Sequence, residues 1–378
     1  MVEYGEKMKN NNRITVAFYA PVKNEERYIR EFVEFHLNTM KKGDIFVFVD
    51  TGSTDNTKEI IKEMIKEKKP ILFFDDYPQD HVFSFDFIRN YALSKVPKNI
   101  DICLALDIDE FIVKENWRII LEDISKQTNN NFILVNARWE DLSEEKGQNS
   151  YFIHQRSAIH SNLPSINWKF PVHECLNNSD PSTKIIDRND FLTAHMRNQK
   201  KERVSYKKII VDYLKTKPKL SNLDMMHLYY IEGNEYYSDS EYKKALKAYQ
   251  KYLSYANEFD NQNMTTAFYN NTTAVYIKMS IIYKNMGDIQ KELKYKHLAF
   301  ATKPCRETAL MLSLLYITLR LPNLAKDFYN IGISYTNKET SYNTIDWFWE
   351  EKNIINLGNS INEIIKNEII KTEAEKKN

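Results

Sequence analysis

The sequence predicts an α/β domain followed by an all-α domain, on three observations. Up to about residue 125, apolar runs without polar alternation are separated by helical stretches. From Phe132 to His195 the runs become shorter and strand-like, with few helical signals, and after Gln199 nearly everything reads as helix. Strands that lack alternation are buried on both faces, so the first half is expected to hold a parallel sheet between layers of helix. A chain of 378 residues, 42% hydrophobic and 28% charged, is globular and long enough for two domains, expected at 1–200 and 201–378.

The elements follow in order. ITVAFYA, IFVFV, ILFF and ICLAL read as the parallel strands, with helices expected from Glu25 to Met40, Asp55 to Lys68 and Phe85 to Lys95. NFILVNARW, YFIHQRSAI and SINWKFPVHE read as a mixed extension of that sheet. In the helical half, Ser280, Tyr283, Gly287, Glu292, Ala299 and Pro304 fall at the offsets of a tetratricopeptide repeat, and Ser313, Tyr316, Ala325, Tyr329 and Gly332 fill similar slots. Gly233, Tyr236, Ala245 and Tyr249 suggest an earlier unit, and EIIKNEIIKTEAEKKN a capping helix. The plainer alternative for this half is a generic helical bundle.

Composition excludes several classes of function. Lys and Arg number 53 against 52 Asp and Glu, a formal charge of +1, which gives no global field for nucleic acid or an anionic membrane. Cys103, Cys175 and Cys305 are odd in number and widely spaced, so neither a disulfide framework nor a zinc site is expected. MVEYGEKMKNNNR lacks the apolar core of a signal peptide, and no apolar stretch approaches the roughly 20 residues that cross a bilayer. A cytoplasmic protein without a membrane span is expected.

The chemistry concentrates at strand ends. The run DICLALDIDEFIV closes on Asp107, Asp109 and Glu110, whose mutual repulsion must be relieved by solvent, a basic partner or a bound cation. APVKNEERYI follows the first strand and VDTGSTDNTKEII the second, both at the carboxyl edge where doubly wound sheets bind ligands. Gly52 permits a tight turn, and Ser53 and Asp55 are suited to capping the next helix.

PVKNEERYI (21–29), FVDTGSTDNTKEI (48–60), FDFIRNYAL (85–93), LALDIDEFI (104–112), WKFPVHE (168–174) and His195 in TAHMR occur in the order found in family 2 glycosyltransferases. The chain resembles that family, in the bacterial form with C-terminal tetratricopeptide repeats, and its plan is similar to that of sublancin-type peptide glycosyltransferases. One departure is that Ser84, Phe85 and Asp86 stand where the family often reads D-F-S, so Asp86 receives no family role.

The resemblance implies a GT-A (nucleotide-diphospho-sugar transferase, Rossmann-like) domain followed by tetratricopeptide repeats. It implies a hexosyltransferase that uses a nucleotide-sugar donor, UDP-linked above all, and transfers with inversion to a protein, peptide or glycan acceptor. The DXD-type motif DIDE then serves a Mn2+ or Mg2+ cofactor, with Asp109 a direct ligand, His195 completing the coordination, and Asp107 facing the ribose or the metal's waters. Glu110 holds the loop. Asp50 accepts a hydrogen bond from the base, Pro21 and Glu25 line the same pocket, and Ser53 and Asp55 belong to the nucleotide-sugar site. Arg89 either contacts the nucleotide or serves a structural ion pair. Glu174 is the candidate general base, with His173 beside it and Trp168 offering a sugar its aromatic face; otherwise His173 and Glu174 brace the acceptor loop. Arg156 is a further candidate for acceptor or phosphate contact. The repeats would present the acceptor or form a homodimer.

Two other readings stay open. A nucleotidyltransferase would carry a Gly-rich phosphate loop after the first strand, where PVKNEE has no glycine. A repeat-based protein-binding module with a degenerate transferase domain would have lost the acidic edge that DIDE keeps.

Overall fold

A computed structural model gives the fold and describes residues 13–78, 82–141, 151–195, 205–216, 219–258, 266–336 and 346–375. The chain divides into two compact units, Met1–Lys217 and Pro218–Asn378. The domain boundary expected at residues 200 and 201 lies outside the described residues.

The first unit opens with β1 (Val16–Val22), α1 (Ile29–Leu37), β2 (Ile45–Asp50), α2 (Thr57–Lys66), β3 (Ile71–Phe74), α3 (Phe85–Ser94) and β4 (Ile102–Leu104). β1 pairs in parallel with both β2 and β4, and β2 with β3. Alternation sorts the side chains of these buried strands onto two faces. Val16, Phe18, Ala20, Phe46, Phe48 and Leu104 point into one core with Ile29, Phe32 and Val33 of α1 and Ile61 and Met64 of α2. Ala17, Tyr19, Val47, Val49 and Cys103 point into the other, against Ile88 and Ala92 of α3 and Trp168. Each large side chain so buried contributes about 1.5–3 kcal/mol, which is why the strands read as unbroken apolar runs.

After β4 come β5 (Glu110–Ile112), α4 (Trp117–Thr128), β6 (Phe132–Asp141), β7 (Tyr151–Ser161), β8 (Ile166–Lys169), β9 (Cys175–Asn178), β10 (Lys184–His195) and α5 (Tyr206–Lys215). The eight-stranded sheet runs β3-β2-β1-β4-β7-β6-β10-β5, while β8 and β9 form a separate hairpin. β7 is antiparallel to β4 and β6, and β5 antiparallel to β10, so the extension is mixed as expected. Sequence reading ran DICLAL straight into DIDEFI. The structure instead ends β4 at Leu104 and starts β5 at Glu110, and a turn in which Glu110 N donates to Asp107 O (2.9 Å) lies between them.

The second unit contains three consecutive helix pairs: α6 (Asn222–Ser238) with α7 (Tyr242–Ala256), α8 (Thr266–Asn285) with α9 (Ile289–Thr302), and α10 (Arg306–Thr318) with α11 (Pro322–Ser334). A long α12 (Glu351–Glu375) follows. Several of the small residues picked out in the sequence are buried between the helices, while Gly287 lies in the turn between α8 and α9 at φ +75°. Ala245, Ser280, Ser313 and Ala325 are fully buried, and the Ser313 hydroxyl donates to Ala325 O at 2.7 Å. A Cβ on Gly233 would stand 2.3 Å from the Tyr249 ring, so only glycine allows that approach. Tyr229, Tyr249 and Tyr252 are buried, and Tyr229 stacks on Tyr255 at 5.8 Å, as packing residues do. Among the described residues no helix is long and apolar enough to cross a membrane.

Candidate active site

The ends of β1 and β2 build the first part of the site. Val22 pairs with Asp50, so the loops after both strands leave the sheet side by side. They interlock through short polar side chains. Asn24, at φ +56°, donates its N–H to Ser53 Oγ (3.0 Å), and its Oδ1 accepts from Thr54 N (2.8 Å). Asp55 accepts from Glu26 N (3.1 Å) and Thr57 N (3.0 Å), and Glu26 Oε2 accepts from Asn56 N (3.0 Å). Glu25 is buried, its N–H donating to Thr57 Oγ1 at 2.7 Å, and Pro21 is half-buried on β1. Ser53 and Asp55 therefore shape the loop pair, with both Asp55 oxygens engaged inside it.

Asp50 sits at the floor of this loop pair. Its Oδ1 accepts from Gly52 N (2.9 Å) and Ser53 N (3.0 Å) and lies 3.3 Å from Lys58 Nζ. Gly52 at φ +104° makes that turn possible. Burial works against ionisation, but the Ser53 and Gly52 bonds and the Lys58 charge more than offset it and hold Asp50 below its ordinary pKa. Its Oδ2 is buried and without a hydrogen-bond partner among the described residues. A buried acceptor with no donor costs about 1–3 kcal/mol, which a ligand N–H would recover.

Three arginines relieve much of the repulsion among the DIDE carboxylates. Glu110 is fully buried; it meets Arg156 Nη1 in a short contact and Arg138 Nη2 at 3.1 Å, and its Oε2 accepts from Asp107 N (3.0 Å). Asp107 Oδ1 accepts from Arg89 Nη2 at 2.8 Å, and its Oδ2 lies 3.9 Å from Arg156. Burial favours the neutral acid at Asp107, yet the charges of Arg89, Arg156 and Arg138 outweigh it and hold the carboxyl well below the usual range. Glu110 thus braces the loop, as expected. Arg156, expected at the acceptor or phosphate, lies on β7 beside this turn and meets Glu110 and Asp107 there. Arg138 was not singled out in the sequence; the signal was a cation on a strand that otherwise reads as apolar, NFILVNARW.

Asp109 and His195 meet because β5 pairs with the end of β10, His195 opposite Glu110. His195 Nε2 lies 3.3 Å from Asp109 Oδ2. Burial lowers the imidazole pKa, but the hydrogen bond and charge of Asp109 leave it raised overall. Among the described residues no three His, Cys, Asp or Glu side chains gather to hold a metal. The pair nonetheless fits a hard divalent cation that takes its remaining ligands from phosphate and water, as Mg2+ commonly does, since two adjacent donors on such an ion are about 3 Å apart.

Glu174 follows a loop whose backbone is unusual, with Phe170 at φ +81° and His173 at φ +49°. The loop is pinned to the start of α3 by Phe85 N donating to Pro171 O (2.9 Å). Glu174 Oε1 accepts from Arg89 Nε at 2.6 Å. His173 is exposed, its ring 5.2 Å from that of Tyr206. Trp168, expected to offer a face to a sugar, is buried, and the Arg89 guanidinium lies 5.0 Å over its ring. Its face is covered because β8 turns the indole into the α3 core.

Residues 18–149 match the family model described as Glycosyl transferase family 2. No curated protein matches the chain. Among solved structures, TarS of S. aureus is 13% identical, covering 86% of this chain and 56% of its own, at a TM-score of 0.37, so this chain spans little more than half of that TarS chain. TarS 1-349 in complex with UDP is 14% identical, covering 88% of this chain and 95% of that one, also at 0.37. Pseudomonas aeruginosa pilF is 11% identical over 46% of this chain and 80% of its own, at 0.26. No residue role is carried over at these scores. The first unit, a mixed α/β sheet with helices packed on it, has the GT-A-like architecture expected from the sequence, and its residues 18–149 are similar to the glycosyl transferase family 2 model.

Proposed function

We propose that the protein is a metal-dependent inverting glycosyltransferase that moves a hexose from a UDP-sugar to a protein, peptide or glycan acceptor. The observation that carries this reading is the buried Oδ2 of Asp50, without a partner among the described residues, at the same edge of the sheet as the turn that bears Asp107, Asp109 and Glu110. A uracil N–H satisfies that oxygen, and Pro21 and Glu25 flank the base.

Asp109 and His195 would hold Mn2+ or Mg2+, which when bound stabilises negative charge on the departing diphosphate. Asp107, fixed by Arg89, faces the ribose side of the donor. Glu174 takes the proton of the acceptor nucleophile as that atom bonds to the anomeric carbon. The bond from that carbon to the diphosphate oxygen breaks, its electron pair leaves with UDP, and attack from the opposite side inverts the centre. The helix pairs of the second unit, read as tetratricopeptide repeats, would present the acceptor chain.

Isothermal titration with UDP and GDP, each with and without Mn2+, tests the donor side. UDP is expected to bind more tightly with Mn2+ than without it. D109N is expected to abolish transfer and the Mn2+ enhancement while the far-UV spectrum stays parental. Equal UDP affinity with and without Mn2+ in the parent would refute the metal assignment.

A further inference from the structure

We propose that Arg89 is a positioning residue that locks the donor-side carboxylate Asp107 and the candidate base Glu174 into one fixed relation, so that the two sides of the transfer site respond together. This rests on the reading above.

Two nitrogens of one rigid guanidinium serve the two carboxylates separately: Nε donates to Glu174 (2.6 Å) and Nη2 to Asp107 (2.8 Å). The planar fork fixes the angle between these bonds, which an ammonium would leave free. Arg89 itself has little freedom. It is 5% exposed, and its guanidinium lies over the Trp168 ring.

That ring is locked in turn. Trp168 Nε1 donates to Tyr19 OH (2.6 Å), which lies 3.0 Å from His160 Nε2. His160 Nδ1 faces Ser161 O at 2.8 Å, so Nδ1 carries the proton and Nε2 accepts from Tyr19. Burial, against a smaller opposing effect of the Ser161 bond, takes His160 down to about pKa 4 and keeps it neutral near pH 7.

The residue after Arg89 clamps the same segment. Asn90 Oδ1 accepts from Trp168 N and its Nδ2 donates to Trp168 O, both at 2.8 Å. Adjacent residues of α3 thus hold both ends of the stretch from Trp168 to Glu174. An ion pair serving stability alone would need neither the stacked indole nor the amide clamp. The chain of contacts instead transmits a shift of either carboxylate to the other.

The test is a double-mutant cycle on the affinity for UDP in the presence of Mn2+, using D107N, E174Q and the double variant, in the parent and in the R89K background. In the parent, the combined effect is expected to depart from the product of the single effects by about 5-fold or more. In R89K, which keeps the charge and loses the fork, the effects are expected to multiply to within about 2-fold. If R89K does not fold, W168F replaces it, because it leaves both ion pairs in place and loosens the guanidinium, and the departure should shrink. Multiplicative effects in the parent, or an undiminished departure in the folded background variant, would overturn the proposal while the UDP reading stands. Failure of the parent to bind UDP with Mn2+ would overturn the donor reading and this proposal with it.

Discussion

Replacing Glu110 with glutamine removes one charge from a fully buried carboxylate and leaves its shape. The carboxylate meets Arg156 Nη1 in a short contact, Arg138 Nη2 at 3.1 Å and the Asp107 N–H at 3.0 Å. An amide retains one acceptor oxygen and turns an NH2 group toward a donor, so at least one of these partners loses its bond. Breaking a buried pair costs about 3–5 kcal/mol. Arg156 keeps partial compensation from Ala105 O at 3.3 Å and Asp107 at 3.9 Å, which places the expected loss near the lower end, about 3 kcal/mol. For a unit of about 200 residues each kcal/mol lowers the melting midpoint by about 2–4 °C, so E110Q is expected to melt about 6–12 °C below the parent. Scanning calorimetry and urea unfolding both read the change. A loss below about 1 kcal/mol would refute the argument that Glu110 is the electrostatic keystone of the turn.

Two further outcomes test the packing and the buried histidines. G233A places a Cβ where the Tyr249 ring stands and is expected to cost about 1–3 kcal/mol in urea unfolding of the helical unit; no cost would refute that close approach. His36 and His160 are both lowered to about 4, mainly by burial, against an ordinary value of 6.5. Between those values the unfolded chain binds protons that the folded chain does not, so stability falls as pH falls from about 6.5 towards 4. At pH 5 each histidine contributes a loss of about 2 kcal/mol, and H36Q is expected to remove about half of the joint decrement in urea unfolding measured at pH 8 and 5. An identical decrement in H36Q would sink this assignment.

The parallel strands, their helices and the strand-end loops were legible in the sequence because each follows from local pattern. Unbroken apolar runs and Gly52 in a turn need no distant partner to be read, whereas Ser53, expected to cap α2, accepts from Asn24 N instead, and the N-cap is Asn56. What was not legible depends on contacts between residues far apart. β5 was hidden because Glu110–Ile112 is three residues long, begins in the acidic turn and declares itself only by pairing with β10. Trp168 was read as a platform because nothing nearby shows that Tyr19, 149 positions away, receives its N–H. The arginines show the same limit. Residue type fixes a cation on β6, α3 and β7, but which carboxylate each meets is decided by strand order.

The pairing of β5 with the end of β10 also constrains how the protein is made. Asp109, in the turn before β5, and His195, at the end of β10, are more than 80 residues apart, and closing a loop of that length costs about 4 kcal/mol of chain entropy before any contact repays it. On a ribosome adding about 5–20 residues per second, the DIDE turn leaves the tunnel several seconds before its histidine partner. Through that interval the three carboxylates and the open edge of β5 are without β10, and Asp109 is without His195. The site is therefore expected to be a late event in biosynthesis, assembled once from a nearly finished first unit.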